Sequence, residues 1–120
     1  MAIVRHPGGV SKYIVENGVY RVPGGLPSYQ LSGTSIRVYG GLAKYRIDGN
    51  RISIAGGLPI LEVINNQIKI AGGVSIAKIV GNKIQLQGGP IAYVIEGELS
   101  RLEQLGLIAI LFDPNKKKGW

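Results

Sequence analysis

The sequence has no cysteine, one histidine, one tryptophan and one methionine. Without thiols there are no disulfides and no thiolate metal sites, and the redox compartment stays open. His6 has neither a second histidine nor a carboxylate beside it in the sequence, so it reads as an end-of-fold residue and not as a base or ligand. Acids are scarce as well: Glu16, Asp48, Glu62, Glu96, Glu98, Glu103 and Asp113 are all there are, against 14 Lys and Arg. None of the seven stands with a base or nucleophile in the manner acid–base or nucleophilic catalysis requires. Phosphate-loop, zinc, haem and calcium-loop motifs are missing despite the 19 glycines. These absences lead us to expect a non-catalytic chain with no cofactor and no metal site. The longest apolar run, Leu107 to Phe112, is too short to cross a bilayer, so no membrane span is expected. The start, MAIVRHPGG, lacks the apolar stretch of a secretory signal.

What the chain has instead is repetition. Gly-Gly pairs stand at 8–9, 24–25, 40–41, 56–57, 72–73 and 88–89, sixteen residues apart without a slip. Between them lies a second set of turn signals: Asn17-Gly18, Gly33-Thr34, Gly49-Asn50, Asn65-Asn66, Gly81-Asn82 and Gly97-Glu98. Such pairs tolerate the positive φ of two-residue hairpin loops. A two-residue loop dictates which residues face each other across the hairpin. Ile47 then faces Ile52 and Tyr45 faces Ile54; Val63 faces Ile68 and Leu61 faces Ile70; Ile79 faces Ile84 and Ala77 faces Leu86. All are apolar, while the residues between them, Arg46 and Ser53, Glu62 and Lys69, Lys78 and Gln85, are polar. Each sixteen-residue row is therefore a β-hairpin with one apolar face, and the fold class is all-β.

At 120 residues and 45% hydrophobic content the chain fits one domain with a sizeable core. The net charge of +7 is carried by the repeats: residues 1–95 hold 10 Lys or Arg and 3 acids, whereas 96–120 hold four of each. Arg21, Arg37, Arg46, Lys69 and Lys78 on the polar face suggest a basic face able to meet an acidic surface, a glycan or nucleic acid. Charged residues that merely keep exposed strands soluble are the plainer alternative.

In chain order, residues 1–7 form a half repeat, because Ile3–Pro7 (IVRHP) matches Val19–Pro23 (VYRVP). Residues 8–103 form the hairpin repeat region. Tyr13, Tyr29, Tyr45 and Tyr93 share one column, read as core rings with hydroxyls reaching an edge, or alternatively as a stacking ladder for sugars or bases. From Glu98 to Leu105 the leucine spacing suggests a short helix ending at Gly106, and Leu107 to Phe112 reads as a buried strand. Residues 104–115 are thus expected to be a cap of strand and turn, followed by a basic tail over 116–120.

Four apolar side chains per hairpin do not offset the entropy of ordering sixteen residues, so the apolar faces need cover. A single closed barrel of about twelve strands would leave a cavity that those side chains cannot fill. Two stacked layers, or a core shared between chains, are the expected solutions. Rows such as GGLPILEVINNQIKIAGG and GGVSIAKIVGNKIQLQGG resemble the shaft repeats of the adenovirus fibre and the reovirus attachment protein. That resemblance implies a triple β-spiral, an elongated homotrimer with Tyr45, Ile47, Ile52, Ile54, Leu61, Val63, Ile68, Ile70, Ile79, Ile84 and Leu86 facing the trimer axis. It also implies a structural protein of a viral or phage fibre or spike, on the virion surface, with other virion proteins as partners. The alternatives are a cytoplasmic β-solenoid scaffold that polymerises end to end, as bactofilins do, and a glycan- or nucleic-acid-binding repeat module.

Overall fold

A computed structural model of the chain describes residues 1–114, and the basic tail expected over 116–120 lies outside them. The strands are β1 (Ala2–Arg5), β2 (Ser11–Glu16), β3 (Val19–Arg21), β4 (Pro27–Ser32), β5 (Ser35–Val38), β6 (Ala43–Asp48), β7 (Arg51–Ile54), β8 (Pro59–Ile64), β9 (Gln67–Ile70), β10 (Ser75–Val80), β11 (Lys83–Leu86) and β12 (Ile91–Gly97). One helix follows, α1 (Arg101–Phe112). Every strand pairs antiparallel with its sequence neighbours, and β1 also pairs with β12, which closes a barrel.

The hairpin registers are those the repeats dictate. Tyr45 lies opposite Ile54 and Ile47 opposite Ile52. Leu61 faces Ile70 and Val63 faces Ile68, and Ala77 faces Leu86 and Ile79 faces Ile84. The short turns take positive φ where expected: at both positions in Asn17-Gly18 and Asn65-Asn66, and at Gly33, Gly49 and Gly81. The Gly-Gly connections are β-turns in which the second glycine donates to the residue three back, as in Gly25 N–H to Val22 O at 2.9 Å and Gly57 N–H to Ile54 O at 2.7 Å. The first glycine of each pair has φ between +65 and +74, which a type II turn demands at that position.

Between hairpins each pairing shifts register at the same place, just inside the Gly-Gly turn: between Val4 and Arg5, Tyr20 and Arg21, Ile36 and Arg37, Ile52 and Ser53, and Ile84 and Gln85, with the sixth between Ser75 and Ala77. A bulge bends and twists the strand that carries it. Six bulges in equivalent positions bend the sheet equally at each repeat, and the sheet meets its own first strand. The initial half repeat supplies that strand. β12 lacks a second arm of its own, and β1 takes the place with the register of the other hairpins, Ile3 opposite Glu96 as Val19 is opposite Glu16.

The molecule measures 37 × 34 × 26 Å, so it is neither the elongated spiral nor the solenoid expected. The objection to a wide barrel was that its lumen would stay empty; α1 fills it. Leu105 through Phe112 are buried without interruption, and the helix packs against β4, β6 and β7. A helix apolar on every side belongs in a core. At roughly 1.5 Å per residue its twelve residues span about 18 Å, close to the length of the six-residue strands around it. The buried strand expected over Leu107–Phe112, the strand part of the cap expected over 104–115, is thus corrected to helix. Gly106 does not end the helix but sits within it.

Two local features fix where α1 starts and how close it lies to the wall. Ser100 caps it: its hydroxyl accepts from Glu103 N–H at 3.1 Å, while the Glu103 carboxylate accepts from Ser100 N–H at 2.9 Å. Gly106 faces the wall, where a Cβ would come within 2.5 Å of both Ile36 Cδ1 and the Tyr20 hydroxyl.

Candidate docking surface at the Gly-Gly rim

Because every row has the same length, all six Gly-Gly loops emerge at one end of the barrel and the five short turns at the other, where Gly97-Glu98, expected as a sixth turn, instead ends β12 and leads into α1. The residue directly after each pair is Val10, Leu26, Leu42, Leu58, Val74 or Pro90. These side chains stand outside the core: Leu26, Leu42 and Leu58 are 85%, 84% and 81% exposed, and Val10 and Val74 are 78% and 71% exposed. Their backbone is nevertheless held. The carbonyls of Leu42, Leu58 and Val74 accept from Val38, Ile54 and Ile70 N–H at 3.0, 3.2 and 3.1 Å, closing each loop at its base. The result is a ring of apolar tips on rigid loops. Neighbouring tips are two strands apart, or roughly 10 Å.

Cations flank the first half of this ring. Arg37 donates from Nε and Nη2 to Gly41 O at 3.1 and 2.8 Å, which fixes its guanidinium on the loop before Leu42. Lys44 Nζ lies 5.7 Å from the Tyr29 ring centre and 5.8 Å from that of Tyr45. Arg21 and Lys12 occupy corresponding places beside Leu26 and Val10. Among the described residues no carboxylate pairs with these four; the ion pairs are Arg5–Glu96 at 3.1 Å and Arg51–Glu62 at 3.3 Å. The acids Glu16, Asp48, Glu96, Glu98 and Glu103 belong to the opposite end, at the short turns and the start of α1. A groove of about 320 Å³ opens between the first two Gly-Gly loops, lined by His6, Val10, Ser11, Lys12, Tyr13 and Val22.

The residues expected to face a trimer axis point into this barrel. Tyr45, Ile47, Ile52, Leu61, Val63, Ile68 and Ile84 are buried, and Ile54, Ile79 and Leu86 pack against the same core partly buried, with Ile70 also partly exposed. Their cover comes from α1 of the same chain, so the apolar faces no longer call for further copies. The expected basic face does not assemble as one stripe. Arg21, Arg37 and Arg46 lie on β3, β5 and β6, whereas Lys69 and Lys78 lie on β9 and β10, on the far side of a closed twelve-strand ring. Lys69 also stands opposite Glu62.

The tyrosine column faces inward, as its core reading required. Tyr45 donates its hydroxyl to Asp113 Oδ2 at 2.7 Å, and Tyr20 donates to Glu103 O at 2.7 Å, tying both ends of α1 to the wall. Burial, with Asp113 beside it, pushes the Tyr45 hydroxyl far above its ordinary range. Burial and the Glu103 charge do the same to Tyr20, and burial raises Tyr93 to about 12. The Tyr93 hydroxyl is buried without a hydrogen-bond partner among the described residues, its ring between His6 at 5.3 Å and Phe112 at 5.9 Å. Glu103 is opposed by burial, yet the N–H groups of Ser100 and Gly18 (2.9 Å) outweigh it and hold its carboxyl below the usual range.

The apolar tips and the rim lysines Lys12 and Lys44 are what sequence reasoning missed. The signal was in plain view, since the position after each Gly-Gly is apolar in all six rows. Among the described residues no three His, Cys, Asp or Glu side chains gather to hold a metal. No helix there is long and apolar enough to cross a membrane. Compared with protein-family models, curated proteins and solved structures, the chain matches none.

Proposed function

We propose that the protein is a non-catalytic docking module that attaches through its Gly-Gly rim. One observation carries this reading: apolar side chains in every repeat, with no role in the barrel's own packing, held outward on hydrogen-bonded loops. Loops positioned by a rigid scaffold are the usual place for recognition, and tips ordered before contact lose little entropy on binding. The structural role expected from the repeats carries over in this form. The homotrimeric virion fibre rests on the repeat pattern alone, and a trimeric mass in solution is the result that would sustain it.

The test is site-specific photo-crosslinking in cells that make the protein. A photoreactive residue replacing Leu42 at the rim is expected to give discrete adducts, and one replacing Ser32 at the opposite end is not. Equal labelling from both ends, or neither a protein nor a lipid adduct from the rim, would overturn the reading.

A further inference from the structure

The geometry points to an anionic lipid bilayer as the surface this rim meets, an inference that rests on the rim being the docking face. Three features of the rim select that partner. First, the tips come from one column of a closed repeat, so they end at one height around a ring, and only a broad flat surface touches all of them together. Second, the apolar tips are mixed with Lys12, Arg21, Arg37 and Lys44; five of the acids lie at the other end, Glu62 is paired with Arg51, and Asp113, at the end of α1 on this side, is buried and accepts from the Tyr45 hydroxyl. A leucine tip that enters the headgroup layer leaves its flanking cation level with the lipid phosphates, the arrangement of interfacial membrane binders. A second copy docked rim to rim would set these cations against each other, which disfavours self-pairing. Third, α1 points its C-terminal end at this rim: Glu103 is held by Gly18 at the short-turn end, whereas Phe112 packs on Tyr93, which in turn stacks on His6 of the first Gly-Gly turn. The chain leaves the described structure at Pro114 on that side, and the residues that follow in sequence are Asn-Lys-Lys-Lys-Gly-Trp. Lysines draw a chain toward anionic lipid, and tryptophan partitions to the membrane–water interface.

Vesicle co-sedimentation tests this with the full chain. Phosphatidylcholine vesicles containing phosphatidylserine are expected to sediment the protein, pure phosphatidylcholine vesicles are not, and added salt should weaken binding. The triple variant Leu26→Ser, Leu42→Ser, Leu58→Ser should lose at least about tenfold in partitioning, since each leucine forfeits its insertion. Each of Lys12→Gln, Arg21→Gln and Lys44→Gln should lose about fivefold. Lys83→Gln, at the short-turn end, should bind as the wild type does. All these positions are on the surface, and unchanged circular dichroism shows that each variant folds. Binding to anionic vesicles that the leucine variant retains would overturn the inference. So would absence of vesicle binding; if rim-specific protein adducts then form in the crosslinking experiment, docking through the rim stands and its partner is an acidic protein. Neither lipid binding nor rim adducts would overturn both readings.

Discussion

Replacing Gly106 with alanine sets two effects of opposite sign against each other, and the barrel's geometry decides between them. In a solvent-exposed helix the change stabilises by about 1 kcal/mol, because glycine is the poorer helix former. In α1 the added Cβ meets Ile36 Cδ1 and the Tyr20 hydroxyl at 2.5 Å, and both of those side chains are fully buried. Ile36 is enclosed by core side chains, and overpacking of this kind costs about 1–3 kcal/mol. Tyr20 must move its hydroxyl away from Glu103 O, which forfeits a further hydrogen bond of roughly 1 kcal/mol. The clash wins, and Gly106→Ala is expected to destabilise by about 1–3 kcal/mol, read from the urea midpoint followed by circular dichroism. The same substitution in a Tyr20→Phe background, where the obstructing oxygen is gone, should cost at least about 0.5 kcal/mol less. A stabilised Gly106→Ala variant, or an equal cost in both backgrounds, would refute the packing of α1 against β3 and β5.

Tyr45→Phe removes a buried hydrogen bond to a carboxylate and is expected to cost about 1.5–3 kcal/mol in the same urea assay; a change under about 0.5 would show that Asp113 does not rely on it. Stability should fall in alkali. The neutral phenols of Tyr20, Tyr45 and Tyr93 are favoured by folding, so their contribution is complete below pH about 10 and declines as pH rises from there toward 12, by roughly 1.4 kcal/mol per pH unit for each. A urea midpoint unchanged across that range would contradict their burial. Deleting residues 1–7 removes β1, with Ala2 and Val4 from the core, and leaves β2 and β12 as open edges. The shortened chain should lose its cooperative transition and regain it when a peptide of residues 1–9 is added; a shortened chain that folds unaided would show that β1 does not close the barrel.

The hairpins were legible because a two-residue loop and a period-2 apolar pattern leave one register, and the six rows repeat the message. Closure was harder to see. It depends on one bulged residue per repeat, such as Lys12 or Lys44, and bulges leave no mark in an alternation pattern. The half repeat at the start is legible from IVRHP, but its role as the missing arm of the hairpin begun by β12 is not. The larger error lay in Leu107–Phe112. A helix enclosed on every side has no polar stripe, so its periodicity vanishes, and Gly106 looked like a stop signal when its lack of a side chain is what lets α1 approach Ile36 and Tyr20. Once that segment is read as a strand, the lumen has no filler and a closed barrel looks impossible. The rim escapes the strand pattern for a different reason: its apolar residues lie in the loops, outside the alternation that marks the ribbons.

Amide hydrogen exchange along the full chain tests most directly whether the barrel is built around its own C-terminal helix. The account predicts that the amides of Leu105–Phe112 open only when the whole molecule unfolds, with protection equal to that of the most protected strand amides. Exchange of that segment on the timescale of the Gly-Gly loops, with the strands still protected, would mean that the lumen is not filled by α1.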